Sequence, residues 1–519
     1  MSPTPKSFRK KSGSASVWLR GGLIFLAIAI IVFYTEEDWR GIHAWNRFAR
    51  EWAAKGEHFD LASRVPPAVP DEQNFALTPV VFSCYGQVLD RTGHEIRPHN
   101  TNLVNRLEMD VYNDSISASA QIGNWNEGAG TDLKSWQNYY RTLAGKTNLF
   151  PVPPHTQSPA ADVLLGLSRY DATIGELRQA AQLPCSRFPL AYGQENPLDM
   201  NLPHLFPLNK CARVLQLRAI AELQNNEIQQ ALDDLKLGLR LADSIRSEPF
   251  LESQLSHTHM LNLSLQPLWE GLHAHEWSEA QLVELDAALA KQDCLVDYQT
   301  AMHGVMGFQN DLNCYFQKHP KKLYLPYETD DQPPGLGLRM AILGQLTPIG
   351  WFYQNRLYCD RCMIDFYLPA ADVQKHIFSP NLISDADDLQ SNALNHATAD
   401  NLMKTLWLPA LRPTARQFAF AQSSVDMARV AIALERYRLA QGEYPDTLAA
   451  LSPRYLNPVP HDVIGGQPLH YSVTGDGRFL LYSVGWNEKD DGGMIARYGG
   501  ENTRQRLEQG DWVWCYPQE

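Results

Sequence analysis

No Gly-x-Ser-x-Gly elbow, phosphate-binding Gly-Lys-Ser/Thr loop or dinucleotide fingerprint occurs in the 519 residues. No local motif therefore announces serine hydrolysis, nucleotide-triphosphate chemistry or Rossmann chemistry. Residues converging from distant loops would leave no such motif, so an enzyme is not excluded. Zinc signatures are missing as well. His94-Glu95 with His99 is one residue off the zincin spacing and contains Pro98, which a helix presenting both histidines would not tolerate. His257/His259 and His273/His275 stand two apart on predicted helices, which turns each pair to different faces; surface or partly buried histidines are expected. The eight cysteines (84, 185, 211, 294, 314, 359, 362, 515) show no framework spacing. Cys359-Asp-Arg-Cys362 has redox spacing but lies in WFYQNRLYCDRCMIDFY, which reads as aromatic loop and helix. A local disulfide or two buried thiols is the expectation there.

A net positive balance is missing outside the first twenty residues. These carry Lys6, Arg9, Lys10, Lys11 and Arg20 with no acid, so a net charge of −13 leaves −18 for the rest. A body that acidic is a poor nucleic-acid binder.

Long apolar runs are equally scarce. Gly21–Thr35 is uncharged, and Val17 to Tyr34, flanked by Trp18 and Tyr34, is just long enough to span a bilayer. No small-x-small cleavage site follows it, so 17–35 is read as an uncleaved anchor, with a cleaved signal peptide as the competing reading. The positive-inside rule keeps 1–16 in the cytoplasm and sends the chain beyond Glu36 out of it, which for a bacterial cell means anchoring in the inner membrane. Export also permits disulfides.

Length suggests about three domains. Residues 36–74 comprise an aromatic helix (Trp39, Ile42, Trp45, Phe48, Trp52 at three and four spacing) ending at Gly56, then a linker with Pro66, Pro67 and Pro70. Residues 75–155 read as a mixed segment with short strands, including a capped helix from Thr131 to Leu143. Residues 156–415 read as a helical body. Lys318 to Pro348, rich in Pro and Gly, reads as a long surface loop. Within the body, Ala212 to Ala242 repeats apolar residues at helical spacing on both sides of Gln224-Asn225-Asn226-Glu227. Its Ala221, Leu223, Ile228, Ala231, Leu232, Leu235, Gly238, Leu239 and Leu241 are similar to a tetratricopeptide hairpin. Ser278 with Gln281 predicts a capping box.

Residues 416–519 are the most legible. Met427, Val430, Ala431, Leu434 and Tyr437 form a buried helical stripe that Gly442 stops. A short helix Leu448 to Leu451 follows, then two strands around Thr474-Gly475-Asp476-Gly477. The order Leu434-Glu-Arg-Tyr-Arg-Leu-Ala-Gln-Gly-Glu-Tyr-Pro445, Tyr455-Leu456, Val459-Pro460, Gly465-Gly466-Gln467-Pro468-Leu469 and Leu481-Tyr482-Ser483-Val484-Gly485 resembles the globular domain of type II secretion major pseudopilins. A pseudopilin carries its membrane segment on the helix that enters this domain, behind a processed Gly and a Glu. Here Gly22 is followed by Leu-Ile-Phe-Leu-Ala, far from the domain, so pilus-type processing is not expected. The resemblance implies calcium in the acidic terminal loop, with Asn487, Asp490, Asp491 and Asp511 as candidate ligands among glycines.

The fold expected is therefore mainly α with a C-terminal α+β domain: a single transmembrane helix, a helical-hairpin body and a pseudopilin-like helix and hairpin. The function expected is a non-enzymatic, membrane-anchored binding or assembly protein of the bacterial cell envelope, acting on other envelope proteins outside the cytoplasm. An exported hydrolase or glycan-acting enzyme, with a cleft in the helical body, is the alternative.

Overall fold

The structure is a computed structural model that describes residues 13–85, 88–89, 95–96, 105–112, 120–146, 150–151, 153, 155, 157–327, 336–395, 411–497 and 505–516. Lys6 to Lys11, His94 with His99, and the stretch 396–410 lie outside the described residues. The helices, in chain order, are α1 Gly13–Ala53, α2 Pro79–Phe82, α3 Leu133–Lys146, α4 Pro159–Leu167, α5 Asp171–Ala180, α6 Leu205–Gln224, α7 Ile228–Asp243, α8 Leu251–His273 and α9 Glu279–Leu289. There follow α10 Cys294–Lys318, α11 Leu336–Leu346, α12 Ile349–Cys362, α13 Pro380–Asn395 and α14 Arg412–Gln441. Strands are short: β1 Val88–Leu89, β2 Glu95–Ile96, β3 Ala371–Asp372, β4 Ile377–Phe378, β5 His470–Val473, β6 Phe479–Ser483, β7 Ile495–Arg497, β8 Gln505–Gly510 and β9 Trp512–Val513. The chain is thus mainly helical, with one long N-terminal apolar helix and small sheets towards the C-terminus.

Contacts divide the chain into two compact units. One comprises 1–59, 309–361 and 392–408; the other comprises 60–308, 362–391 and 409–519.

In the first unit α1 runs unbroken for 41 residues. Its apolar window has a mean hydropathy of 2.2 and none of it is buried, which among the described residues is true of this helix alone. Past Tyr34 the same helix acquires partners. Glu37 accepts hydrogen bonds from Trp351 Nε1 at 2.9 Å and Gln354 Nε2 at 3.2 Å, and Asp38 Oδ1 accepts from Gly350 N at 2.7 Å, capping the start of α12. Gly41 and Gly350 let the two backbones meet: a Cβ on Gly41 would lie 2.1 Å from Gly350 O, and one on Gly350 would lie 2.0 Å from Glu37 O. The predicted aromatic stripe splits accordingly. Trp45 and Phe48 are buried, against the guanidiniums of Arg356 and Arg361 respectively, whereas Trp39 is exposed. Residues 318–348 are not one loop. Pro320–Tyr327 forms 3-10 turns and Leu336–Leu346 is helical, because Leu336 to Leu346 is a proline-free run that can sustain a helix.

In the second unit the predicted turn after Gln224 joins α6 to α7, with Asn226 at φ 61° making the reversal, and α8 packs on both. Their apolar faces meet α3, α4 and α5 in a core that includes Trp136, Val163, Leu208, Ile220, Leu241 and Met260. Helix α14 lies against α8 and α9, held by Arg429–Asp286 at 2.8 Å and Arg436–Glu279 at 2.8 Å. It starts at Arg412, well before the predicted stripe, and is buried on all sides from Phe418 to Ala428, so its first half shows no amphipathic period. Gly442 ends it at φ 89°. The predicted hairpin pairs Tyr471 with Leu481, and β9 adds to β6 by Tyr482 with Val513. Trp269 Nε1 donates to Cys515 O at 2.7 Å, so the end of the chain is tied to α8.

Candidate functional site

Polar groups concentrate in the second unit where α7, α8 and the start of α10 meet. A cleft of about 450 Å³ is lined by Pro184, Ser186, Arg240, Asp243, Arg246 and Ser247. Beneath it α8 puts His257, fully buried, between two carboxylates: Nδ1 lies 3.4 Å from Asp297 Oδ2 and Nε2 lies 3.9 Å from Asp243 Oδ1. Arg246 closes the cluster, donating from Nε to Asp297 Oδ1 at 2.6 Å, from Nη1 to Lys291 O at 2.6 Å and from Nη2 to Asp293 O at 3.1 Å. Gln292 Nε2 donates to Asp243 Oδ1 at 3.0 Å.

These surroundings push the two acids apart. Burial works against charge on Asp243, but His257, Gln292 and Arg246 outweigh it and hold the carboxyl below the usual aspartate range. Burial dominates at Asp297 and lifts its carboxyl despite the same His257 and Arg246. Arg240, whose Nη2 donates to Leu183 O at 2.9 Å, is lowered by burial.

A second buried chain adjoins the first through the turn after α7. Tyr85 Oη and His204 Nδ1 are 2.9 Å apart, His204 Nε2 stands 2.9 Å from Glu248 Oε1, and Ser253 Oγ donates to Glu248 Oε2. Gln254 Nε2 donates to the carbonyls of Arg246 and Glu248 at 2.8 and 2.6 Å. Phe188 stacks on His204 with ring centres 4.1 Å apart. Chains of this kind can hold a proton in place or fix a helix start. Here all four side chains from Tyr85 to Ser253 are buried, and none of them lines the cleft.

Of these residues only His257 was singled out in the sequence, and there as a surface or partly buried histidine. The one available signal was polar residues on the inner face of α8, where Ser253, Gln254 and His257 are buried beside Met260 and Leu261. His257 is accordingly a core residue, against the expectation of a surface or partly buried one; its neighbour His259 is exposed, so the two do face apart.

The predicted calcium ligands come together but face their own loop. Asp511 takes Asp491 N on Oδ1 at 3.2 Å and Gly493 N on Oδ2 at 2.6 Å. Asp490 Oδ1 takes Tyr482 Oη and Gly492 N, both at 2.9 Å, and Asn487 Nδ2 donates to Asp491 Oδ2 at 2.9 Å. Among the described residues no group of three or more His, Cys, Asp or Glu is arranged to hold a metal ion. Cys359 and Cys362 are both buried at the end of α12, while Cys84, Cys185, Cys211, Cys294, Cys314 and Cys515 are free thiols.

Comparison of the chain with protein-family models, with curated proteins and with solved structures gives no match.

Proposed function

We propose that this chain is a membrane-anchored binding or assembly protein of the bacterial cell envelope. Residues 1–16 lie in the cytoplasm, 17–35 cross the inner membrane, and the remainder works on the outer side, on other envelope proteins and without turnover of its own. The hairpin α6–α7 serves as a tetratricopeptide-like binding element, and 416–519 as a pseudopilin-like head. A helix ended by Gly442 and followed by the β5–β6 hairpin supports the second comparison.

The observation that carries the binding reading is how the charges around the cleft are spent. Arg246 gives its donors to Asp297 and two carbonyls, and Arg240 gives one to Leu183 O. His257 and Asp297 sit in the interior instead of facing a substrate. These groups bind helices to one another, which suits a rigid scaffold.

Two measurements test it. An alkaline-phosphatase fusion after Asp60 is expected to be active, and an inactive fusion would overturn the topology. Photo-crosslinkers placed on exposed positions of α7 and α9 in living cells are expected to give a discrete adduct with an envelope protein; no adduct from any position would count against assembly. The separation of Asp243 and Asp297 around one histidine favours a second reading, an exported hydrolase or glycan-acting enzyme. That reading requires purified protein to cleave an envelope polymer and Asp243→Asn to abolish the cleavage.

A further inference from the structure

Helix α11 carries an apolar face that none of the described residues covers. Leu338, Ile342 and Leu346 recur every four residues and so share one side of the helix, and Ile349 continues the side at the start of α12; they are 68, 48, 63 and 47% exposed. The opposite side is fixed. Gly344 is buried so closely against the 3-10 segment Pro320–Tyr327 that a Cβ would lie 2.1 Å from Pro320 O. Four large aliphatic side chains held outward, three of them on an anchored helix, are a surface made for something apolar.

The position of α11 identifies the occupant. Tyr34, the last residue of the apolar run of α1, donates from Oη to Leu346 O at 2.6 Å, and Phe33 meets the Trp351 ring edge-on at 6.3 Å. The exposed apolar side of α1 therefore passes directly into the exposed apolar side of α11. With 11 residues, α11 extends about 16 Å and is too short to cross a bilayer. Lys318, Lys321 and Arg339 are exposed around it, as suits anionic headgroups.

We propose that α11 is a membrane-surface helix, which embeds Leu338, Ile342, Leu346 and Ile349 at the headgroup–acyl boundary of the bilayer that α1 crosses. The proposal rests on α1 being a membrane span. It gives the protein two points of hold on the membrane, one through it and one along it, and so fixes the rotation of the first unit about the α1 axis, which a lone span leaves free.

The test uses the full chain in phosphatidylcholine–phosphatidylglycerol vesicles, with a genetically encoded fluorescent amino acid at position 342, 28 or 283, one per preparation. Position 28 reports on the span and position 283 on an exposed site of α9. The expected result is loss of fluorescence at 342 and 28 with lipids brominated on the acyl chain, and at 283 only with aqueous iodide. If 342 responds to iodide and not to bromolipid while 28 responds to bromolipid, the span stands and the surface helix is overturned. If 342 responds to neither quencher, protein covers the face, and the proposal is overturned in favour of a second copy or a partner. If 28 itself escapes bromolipid, the span reading fails and takes the proposal with it.

Discussion

Ile24 on α1 and Ile220 on α6 are the same side chain on the same kind of backbone, yet the first is 62% exposed and the second is fully buried. The difference lies in their neighbours. Around Ile220 the helix packs on α4, α7 and α8, and even Glu222 is buried there, paired with Arg218 at 3.1 Å. From Gly21 to Phe33 the helix around Ile24 carries no charged or polar side chain, so no face of that stretch is left to turn towards water. One helix is enclosed by protein, and the other, on the proposed topology, by lipid. On the proposed topology the same side chain thus meets different solvents in the two units, and the second unit also closes its interior around charges.

The contrast between the isoleucines predicts the largest effect. Ile220→Ala should cost roughly 2–5 kcal/mol of unfolding stability, whereas Ile24→Ala, with lipid or detergent filling the space, should leave the midpoint of the micelle-solubilised chain unchanged. Equal losses in chemical denaturation would break the comparison. The buried charges come next. Asp297→Ala strands Arg246 and His257 and is expected to cost about 3 kcal/mol; a loss well below that would mean that water reaches the cluster, which favours the enzyme reading.

A smaller effect is pH-dependent. Burial outweighs the hydrogen bond from His273 to Cys515 O and brings the imidazole down to about 4. The unfolded histidine titrates near its ordinary value of about 6.5, so between these values the unfolded chain binds a proton that the folded chain refuses. This contribution to stability is fully present above about pH 6.5 and falls as the pH drops towards 4. His273→Gln should flatten the corresponding slope of melting temperature against pH; an unchanged slope would assign it to other groups. Smallest is the cap of α9. Ser278 accepts from Gln281 N at 3.4 Å and Gln281 Oε1 accepts from Ser278 N at 3.0 Å, so Ser278→Ala should cost about 1 kcal/mol. A Gln281→Ala variant losing a similar amount would show that the box acts as a pair.

Features written in local chemistry were legible: the apolar run of α1, the Ser278 box, the Gly442 stop, the reversal at Gln224 to Glu227, and the Thr474 hairpin. Each depends on residues within a turn or two of one another. Two kinds of feature were not. Helices with uncommon environments lost their period, as in the early part of α14, buried all round, and α11, whose apolar side faces outward beside Pro and Gly. Long-range polar clusters were invisible because their members are far apart in the chain. Asp243, His257 and Asp297 come from three helices, and Tyr85 meets His204 across 119 residues. No spacing rule relates such residues, and only packing brings them together.

Helix α1 has no joint between the apolar run and the residues that Gly350 grips. From Val17 to Ala53 it is a rod about 55 Å long. A thinner bilayer makes a span lean, and with Asp38 and Gly41 locked to α12 the lean cannot be taken up by a bend. On the proposed topology the packed end must swing instead, turning a change in membrane thickness into a change of angle.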